Sequence, residues 1–237
     1  MKQRMTPTRK AYDLSAIVDK LEAGRYKPLV RAIKAFHAAE SVGIDLAAAA
    51  ESVKLLKGLD KAISDETSHM GSALLVHAVV VYSRATHSKA ISRFNVGVTS
   101  AYDNLLKAKH REVVDLRDKC IAHFGPGKDG WHVEHVIYLE TPKGNGLTMT
   151  HRRTNFSLRT IEDLDALLSV AIPHVTKLQR DRANDLNAAL NGNDKELWKL
   201  IDGHGFDLDG FLAPAGTSDK AWDDGAFSQN LWERKSS

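Results

Sequence analysis

The chain has 237 residues, with 33 Lys and Arg against 30 Asp and Glu for a formal charge of +3, and a sequence pI near 8.9. That length buries a substantial core in one body with appendages, and the near-balance of charge excludes an extended basic surface, so any nucleic-acid contact must be local. The single cysteine, Cys120, excludes an internal disulfide and a cysteine zinc cluster; no run approaches the roughly twenty apolar residues of a membrane span, and Met1 to Pro7 contain no apolar core of signal-peptide length, so the expectation is a cytoplasmic protein without membrane contact.

In chain order, residues 1–11 read as a flexible arm, 12–190 as a helical bundle carrying a β-hairpin, and 191–237 as a C-terminal extension. From Tyr12 to about Ala39, Leu14, Ile17, Val18 and Leu21 recur at helical spacing, with Pro28 marking a break or a fresh start, which predicts one or two amphipathic helices. A second helix is predicted from Asp45 to about Ile63, where Leu46, Ala50, Val53, Leu56 and Leu59 line one face and Gly43 and Asp65 bracket it. A third is predicted from Glu66 to about Phe94. Its run Ala73 to Tyr82 is apolar nearly all the way round, which places it at the centre of a bundle, with a strand as the alternative because of its β-branched residues.

A fourth helix is predicted from about Ser100 to Phe124. Tyr102, Leu106, Val113, Leu116, Cys120 and Phe124 form its apolar stripe, and Arg117 and His123 fall on opposite borders of that stripe, each about 60° from its centre. Gly125-Pro126-Gly127 stops it. From Trp131 to about His151 the period changes to two, and Pro142-Lys143-Gly144-Asn145-Gly146 supplies a turn, so a β-hairpin is expected over about 131–153. Helical pattern resumes after Thr160-Ile161-Glu162-Asp163, a loose capping box, and runs to Leu190 with Pro173 expected to kink or divide it. A short helix around Lys195 to Ile201 leads into a tail holding Phe206, Phe211, Trp222, Phe227 and Trp232, aromatic enough to pack on the body or on a partner. The architecture expected is mainly α: an antiparallel bundle of four or five helices with a β-hairpin insertion.

One segment carries a chemical signal. Leu116-Arg117-Asp118-Lys119-Cys120-Ile121-Ala122-His123-Phe124 puts a fixed cation and a titratable proton carrier at a set spacing near a helix end, a combination suited to a phosphodiester. The same spacing recurs at Arg31 and His37, but inside an Ala-rich helical stretch with nothing to end it. The downstream segment resembles the Arg-(four to six residues)-His signature of the HEPN superfamily, helical bundles that are often metal-independent ribonucleases. It is most similar to the abortive-infection-type members of bacteria, in which a Leu-Arg-Asp-Lys-x-x-Ala-His run closes a helix. Tyr82-Ser83-Arg84 resembles the Tyr-x-Arg element of the preceding helix. Many members carry Asn directly after the arginine, where this chain has Asp118.

The resemblance implies that Arg117 and His123 are the catalytic pair, commonly completed by the same pair from a second subunit, with no cofactor. RNA would be cleaved by attack of a 2′-hydroxyl on the adjacent phosphorus, with His123 moving protons and Arg117 offsetting phosphoryl charge. It implies a role in defence or as a toxin, a homodimer, and an antitoxin or other protein as a further partner. The alternative is a non-catalytic HEPN-like module binding nucleotide, RNA or protein, to which the Asp118 departure points. In the bland reading, His123 caps helix-end carbonyls and Arg117 pairs with a carboxylate on a neighbouring helix. A helical interaction protein with a docking tail is a third class.

Other candidates carry less. Tyr82 and Arg84 are weak RNA-contact candidates, as are Arg152 and Arg153 beside Phe156, where cations and a stacking ring meet at the hairpin's end. His77 reads as a hydrogen-bonded core histidine. His132 and His135 lie on opposite faces of a strand, so they form no joint metal site.

Overall fold

The computed structural model describes residues 10–21, 24–59, 64–87, 94–123, 131–153, 157–191 and 194–212. The chain is mainly helical with one two-stranded antiparallel sheet. In order it forms α1 (Leu14–Ile17) with a 3-10 turn (Val18–Lys20), α2 (Lys27–Gly58), α3 (Asp65–His87), a 3-10 turn (Val98–Ala101), and α4 (Asn104–Leu116) running into a π-turn (Arg117–Ile121). Then come β1 (His132–Thr141), β2 (Gly144–Arg153), α5 (Leu158–Leu190), α6 (Lys195–Asp202) and α7 (Leu208–Leu212).

Contacts group the chain into two compact units, one of Met1–Glu40 with Arg180–Ser237 and one of Ser41–Gln179. The boundary placed at residue 190 by sequence therefore falls inside the first unit. That unit buries Ile17, Leu21, Leu29, Ile33, Leu186, Leu197 and Ile201 around a small core of its own. Asp194 caps α6 by accepting the Glu196 and Leu197 N–H groups, and it also receives Arg25 at 2.9 Å and the Tyr26 hydroxyl at 3.0 Å. Phe206 and Phe211 stack at 5.3 Å between ring centroids, and both stay exposed. Trp222, Phe227 and Trp232, like residues 1–9 of the expected arm, lie outside the described residues.

The second unit holds the larger core, built from Val42, Leu46, Val53 and Leu56 of α2, Leu75, Val79 and Tyr82 of α3, Val113 of α4, and Ile161, Leu164, Leu167 and Val175 of α5. Two expected breaks are absent. α2 runs through Gly43 unbroken, because a Cβ there would meet the Gln179 side chain, at 2.5 Å from its Nε2: the glycine makes room for α5 rather than ending a helix. α5 runs through Pro173, whose exposed position leaves the carbonyl it cannot serve to water. Its N-terminus is set by Ser157, whose hydroxyl accepts the Thr160 N–H at 3.3 Å, three residues before the expected capping box.

The apolar run of α3 forms a helix, but one that is not buried all round: Leu75, Ala78, Val79 and Tyr82 face the core, while Met70 and Val76 are exposed. His77 is also exposed, hydrogen-bonded at 2.8 Å through Nδ1 to Ser52 Oγ, so it is a surface partner of α2 and not a core histidine.

Candidate active site

α4 is launched by Asp103, whose side chain accepts the Leu106 N–H at 2.8 Å. Three polar links hold it against α5: Lys109 to Asp163 at 2.5 Å, Arg159 to Glu112 at 2.7 Å, and the Tyr102 hydroxyl, just before the helix, donating to the Leu167 carbonyl at 3.4 Å. The α-helix ends at Leu116. From Arg117 the backbone widens into a π-turn, closed by the Ala122 N–H donating to the Arg117 carbonyl at 2.9 Å. Cys120, 2% exposed, and Ile121, packed on the larger core, anchor it.

This turn displaces the motif. An i to i+5 turn holds one residue more than an α-turn, so the residues beyond it lag by nearly one position, about 100° on the helix. On an ideal α-helix His123 stands at the border of the apolar stripe; here it is exposed and hydrogen-bonds to no described residue. Arg117 is also open, with 45% of its side chain accessible, and its Nη1 donates to Oδ1 of the adjacent Asp118 at 2.6 Å. Lys119 is tied to Asp115 at 2.7 Å. Arg117 and His123 therefore share one solvent-facing helix end without bonding to each other, and among the described residues neither has a helix-capping or cross-helix partner. Burial pushes the Cys120 thiol up from its ordinary value, which makes it a poor nucleophile. Phe124 and the Gly125-Pro126-Gly127 stop lie outside the described residues.

The weaker candidates separate from this end. Tyr82 is 0% exposed and offers no ring surface to RNA, so its expected RNA contact gives way to a structural role. Arg84 grips the buried Asp45 with both arms of its fork, Nε to Oδ2 at 3.0 Å and Nη2 to Oδ1 at 2.5 Å, which accounts for the guanidinium without RNA. Arg152 and Arg153 sit on β2 opposite Val133 and His132; their side chains lie outside what is described. The second Arg/His spacing, Arg31 and His37, lies within α2, with both residues exposed. Among the described residues, no group of three or more His, Cys, Asp or Glu is placed to hold a metal ion, and no helix is long and apolar enough to cross a membrane.

A polar cluster beneath α3 and α4 escaped the sequence reading. The Tyr82 hydroxyl lies 2.9 Å from His110 Nδ1 and 3.2 Å from the Tyr102 hydroxyl. With the Tyr102 proton directed at Leu167, the Tyr82 hydroxyl donates to Tyr102 and accepts from His110, which carries its proton on Nδ1. Burial, then the nearby His87 and Arg111, hold His110 below its ordinary pKa of 6.5; burial raises both tyrosines. His110 lies on α4 seven residues before Arg117, two turns along the same helical register. That spacing was the signal available in the sequence.

The sign of its pH effect follows. A histidine depressed in the folded state binds fewer protons there than in the unfolded chain, so its contribution is whole above about pH 6.5 and is lost as pH falls through the folded value. Thermal melts should show a lower Tm at pH 5.5 than at pH 7.5, and His110→Gln should shrink that difference. Tyr82→Phe, which removes the hydroxyl bridging His110 and Tyr102, should cost about 1–2 kcal/mol at neutral pH.

The chain matches no protein-family model, no curated protein and no solved structure. Its function must therefore be argued from the exposed Arg117/His123 end of α4 and its setting.

Proposed function

We propose that the chain is a metal-independent endoribonuclease of HEPN type, acting in defence or as a toxin, with Arg117 and His123 as its catalytic pair and a second copy of the chain supplying the other pair. The observation that carries this reading is the π-turn: Cys120 and Ile121 fix it in the core while Arg117 and His123 stand open to solvent on the same helix end. A short insertion-like turn that re-aims side chains is a recurrent device at functional sites. The mainly helical frame and the hairpin after the motif are compatible with it.

In the reaction proposed, the 2′-oxygen forms a bond to the adjacent phosphorus as the bond to the 5′-oxygen breaks. The products are a 2′,3′-cyclic phosphate and a 5′-hydroxyl. His123 takes the 2′-hydroxyl proton or delivers one to the leaving oxygen, and Arg117 turns from Asp118 to the phosphoryl oxygens. The test is RNA cleavage by wild type and His123→Ala in the presence of EDTA, with the 3′ ends of the products analysed. Cleavage that survives chelation, leaves cyclic or 3′ phosphates and disappears in the variant is the expected result. Equal behaviour of wild type and an Arg117→Ala/His123→Ala double variant on every RNA tested would sink the proposal.

The 2.6 Å contact between Arg117 and Asp118 favours a second reading, a non-catalytic HEPN-like module that binds nucleotide, RNA or a protein such as an antitoxin. RNA would then be bound uncut, with salt-dependent affinity that falls on neutralising Arg152 and Arg153 and is indifferent to His123.

A further inference from the structure

The hairpin carries an apolar group that the site described above does not use. β1 and β2 pair in unbroken register from His132↔Arg153 to Thr141↔Gly144 around the two-residue turn Pro142-Lys143, with Gly144 at φ 135°, a backbone conformation that suits glycine. Val136 stands opposite Met149 and Tyr138 opposite Leu147, so these four side chains share one face. They are exposed by 81%, 59%, 57% and 77% respectively. Four large apolar groups clustered this openly on ten-residue strands are unusual for a surface that meets only water. A two-stranded ribbon is also marginally stable by itself.

The edges indicate the occupant. Among the described residues the sheet has these two strands, and no described strand pairs with the outer edge of either. With Thr141↔Gly144 closing a two-residue turn, ladder alternation directs the backbone N–H and C=O groups of Asn145, Leu147, Met149 and His151 outward along β2, and those of Glu134, Val136, Tyr138 and Glu140 outward along β1. The β1 edge carries two carboxylates, the kind of charge that keeps an edge unpaired. From Gly144 to Thr150, Gly-Asn-Gly-Leu-Thr-Met-Thr, the β2 edge carries no charge and no proline. Two copies of β2 run antiparallel about a two-fold axis at Thr148 place outward-facing Leu147 opposite outward-facing Met149 twice, and Asn145 opposite His151 twice, with no like charges opposed. The edge is complementary to itself.

We propose that β2 pairs with β2 of a second copy of this chain, forming a four-stranded antiparallel sheet across a two-fold axis, with Leu147 and Met149 packed against one another between copies. This names the surface that holds the second subunit of the proposed ribonuclease and rests on that reading for its purpose. Association is measured without RNA, so loss of pairing and loss of cleavage are separate results.

The test is sedimentation of the full chain across concentrations, together with amide hydrogen exchange at Leu147 and Met149. The expected result is a concentration-dependent dimer in which these two amides exchange at least tenfold more slowly than in dilute monomer. Leu147→Lys/Met149→Lys should be monomeric, and Glu134→Gln/Glu140→Gln on the other edge should not weaken the dimer. Should the lysine variant fail to fold, exchange in wild type still decides. A monomer at all concentrations, a dimer whose Leu147 and Met149 amides stay unprotected, or protection that appears only on adding single-stranded RNA would each overturn the inference.

Discussion

Arg84→Ala is expected to lower the unfolding free energy by about 2–4 kcal/mol, a large loss for a residue with 47% of its side chain exposed. The cost comes from its partner. Asp45 is 3% exposed on α2, and its two oxygens receive the two arms of the Arg84 fork from α3 at 3.0 and 2.5 Å. Without the guanidinium, the buried carboxylate loses two charge-assisted hydrogen bonds and part of what offsets its burial. Arg84→Lys should recover only part of the loss, because a point charge cannot match both oxygens. The double variant Arg84→Met/Asp45→Asn should be more stable than Arg84→Ala, since it removes the buried charge that Arg84 helps to offset. Denaturant unfolding of the four proteins measures this. If Arg84→Ala costs less than about 0.5 kcal/mol, the pair is a surface contact of ordinary weight.

The same pair marks a limit of the sequence. Tyr82-Ser83-Arg84 could be singled out because tyrosine and arginine are residues that nucleic acids use, yet the partners that occupy them, Asp45, Tyr102 and His110, lie 39, 20 and 28 residues or so along the chain. Local pattern carries no information about such pairings. Helices with a clean apolar period, such as α4 to Leu116, and the alternating hairpin were legible because their signals are local. Gly43 and Pro173 misled for the opposite reason: each has a strong local meaning that packing and solvent exposure override. The π-turn was hidden too. It arises where Cys120 is buried and Ile121 packs half-buried on the core while Arg117 stays open, a balance set by neighbouring helices. The spacing of Arg117 and His123 was legible; the direction in which His123 faces was not.

That direction bears on the largest effect expected. For the ribonuclease proposed above, His123→Ala should reduce the cleavage rate by about 10²- to 10⁴-fold, the usual range for removing a group that transfers a proton in the transition state. Arg117→Ala should reduce it by about 10²- to 10³-fold, as for loss of a donor aimed at developing oxyanion charge. Neither change should move stability by more than about 0.5 kcal/mol, because both side chains are exposed and neither anchors the π-turn. Matching melts beside a collapsed rate would separate chemistry from folding. Asp118 supplies a third and opposite effect. Its contact at 2.6 Å holds Arg117 on a carboxylate, and RNA must displace that carboxylate before the guanidinium can reach a phosphate. Asp118→Asn removes the competitor and a negative charge beside the substrate, so it should lower KM for RNA and raise kcat/KM, most clearly at low salt where phosphate contacts dominate. If Asp118→Asn instead weakens cleavage as much as Arg117→Ala does, the carboxylate is orienting Arg117 for the reaction, and the ion pair is the working form of the site.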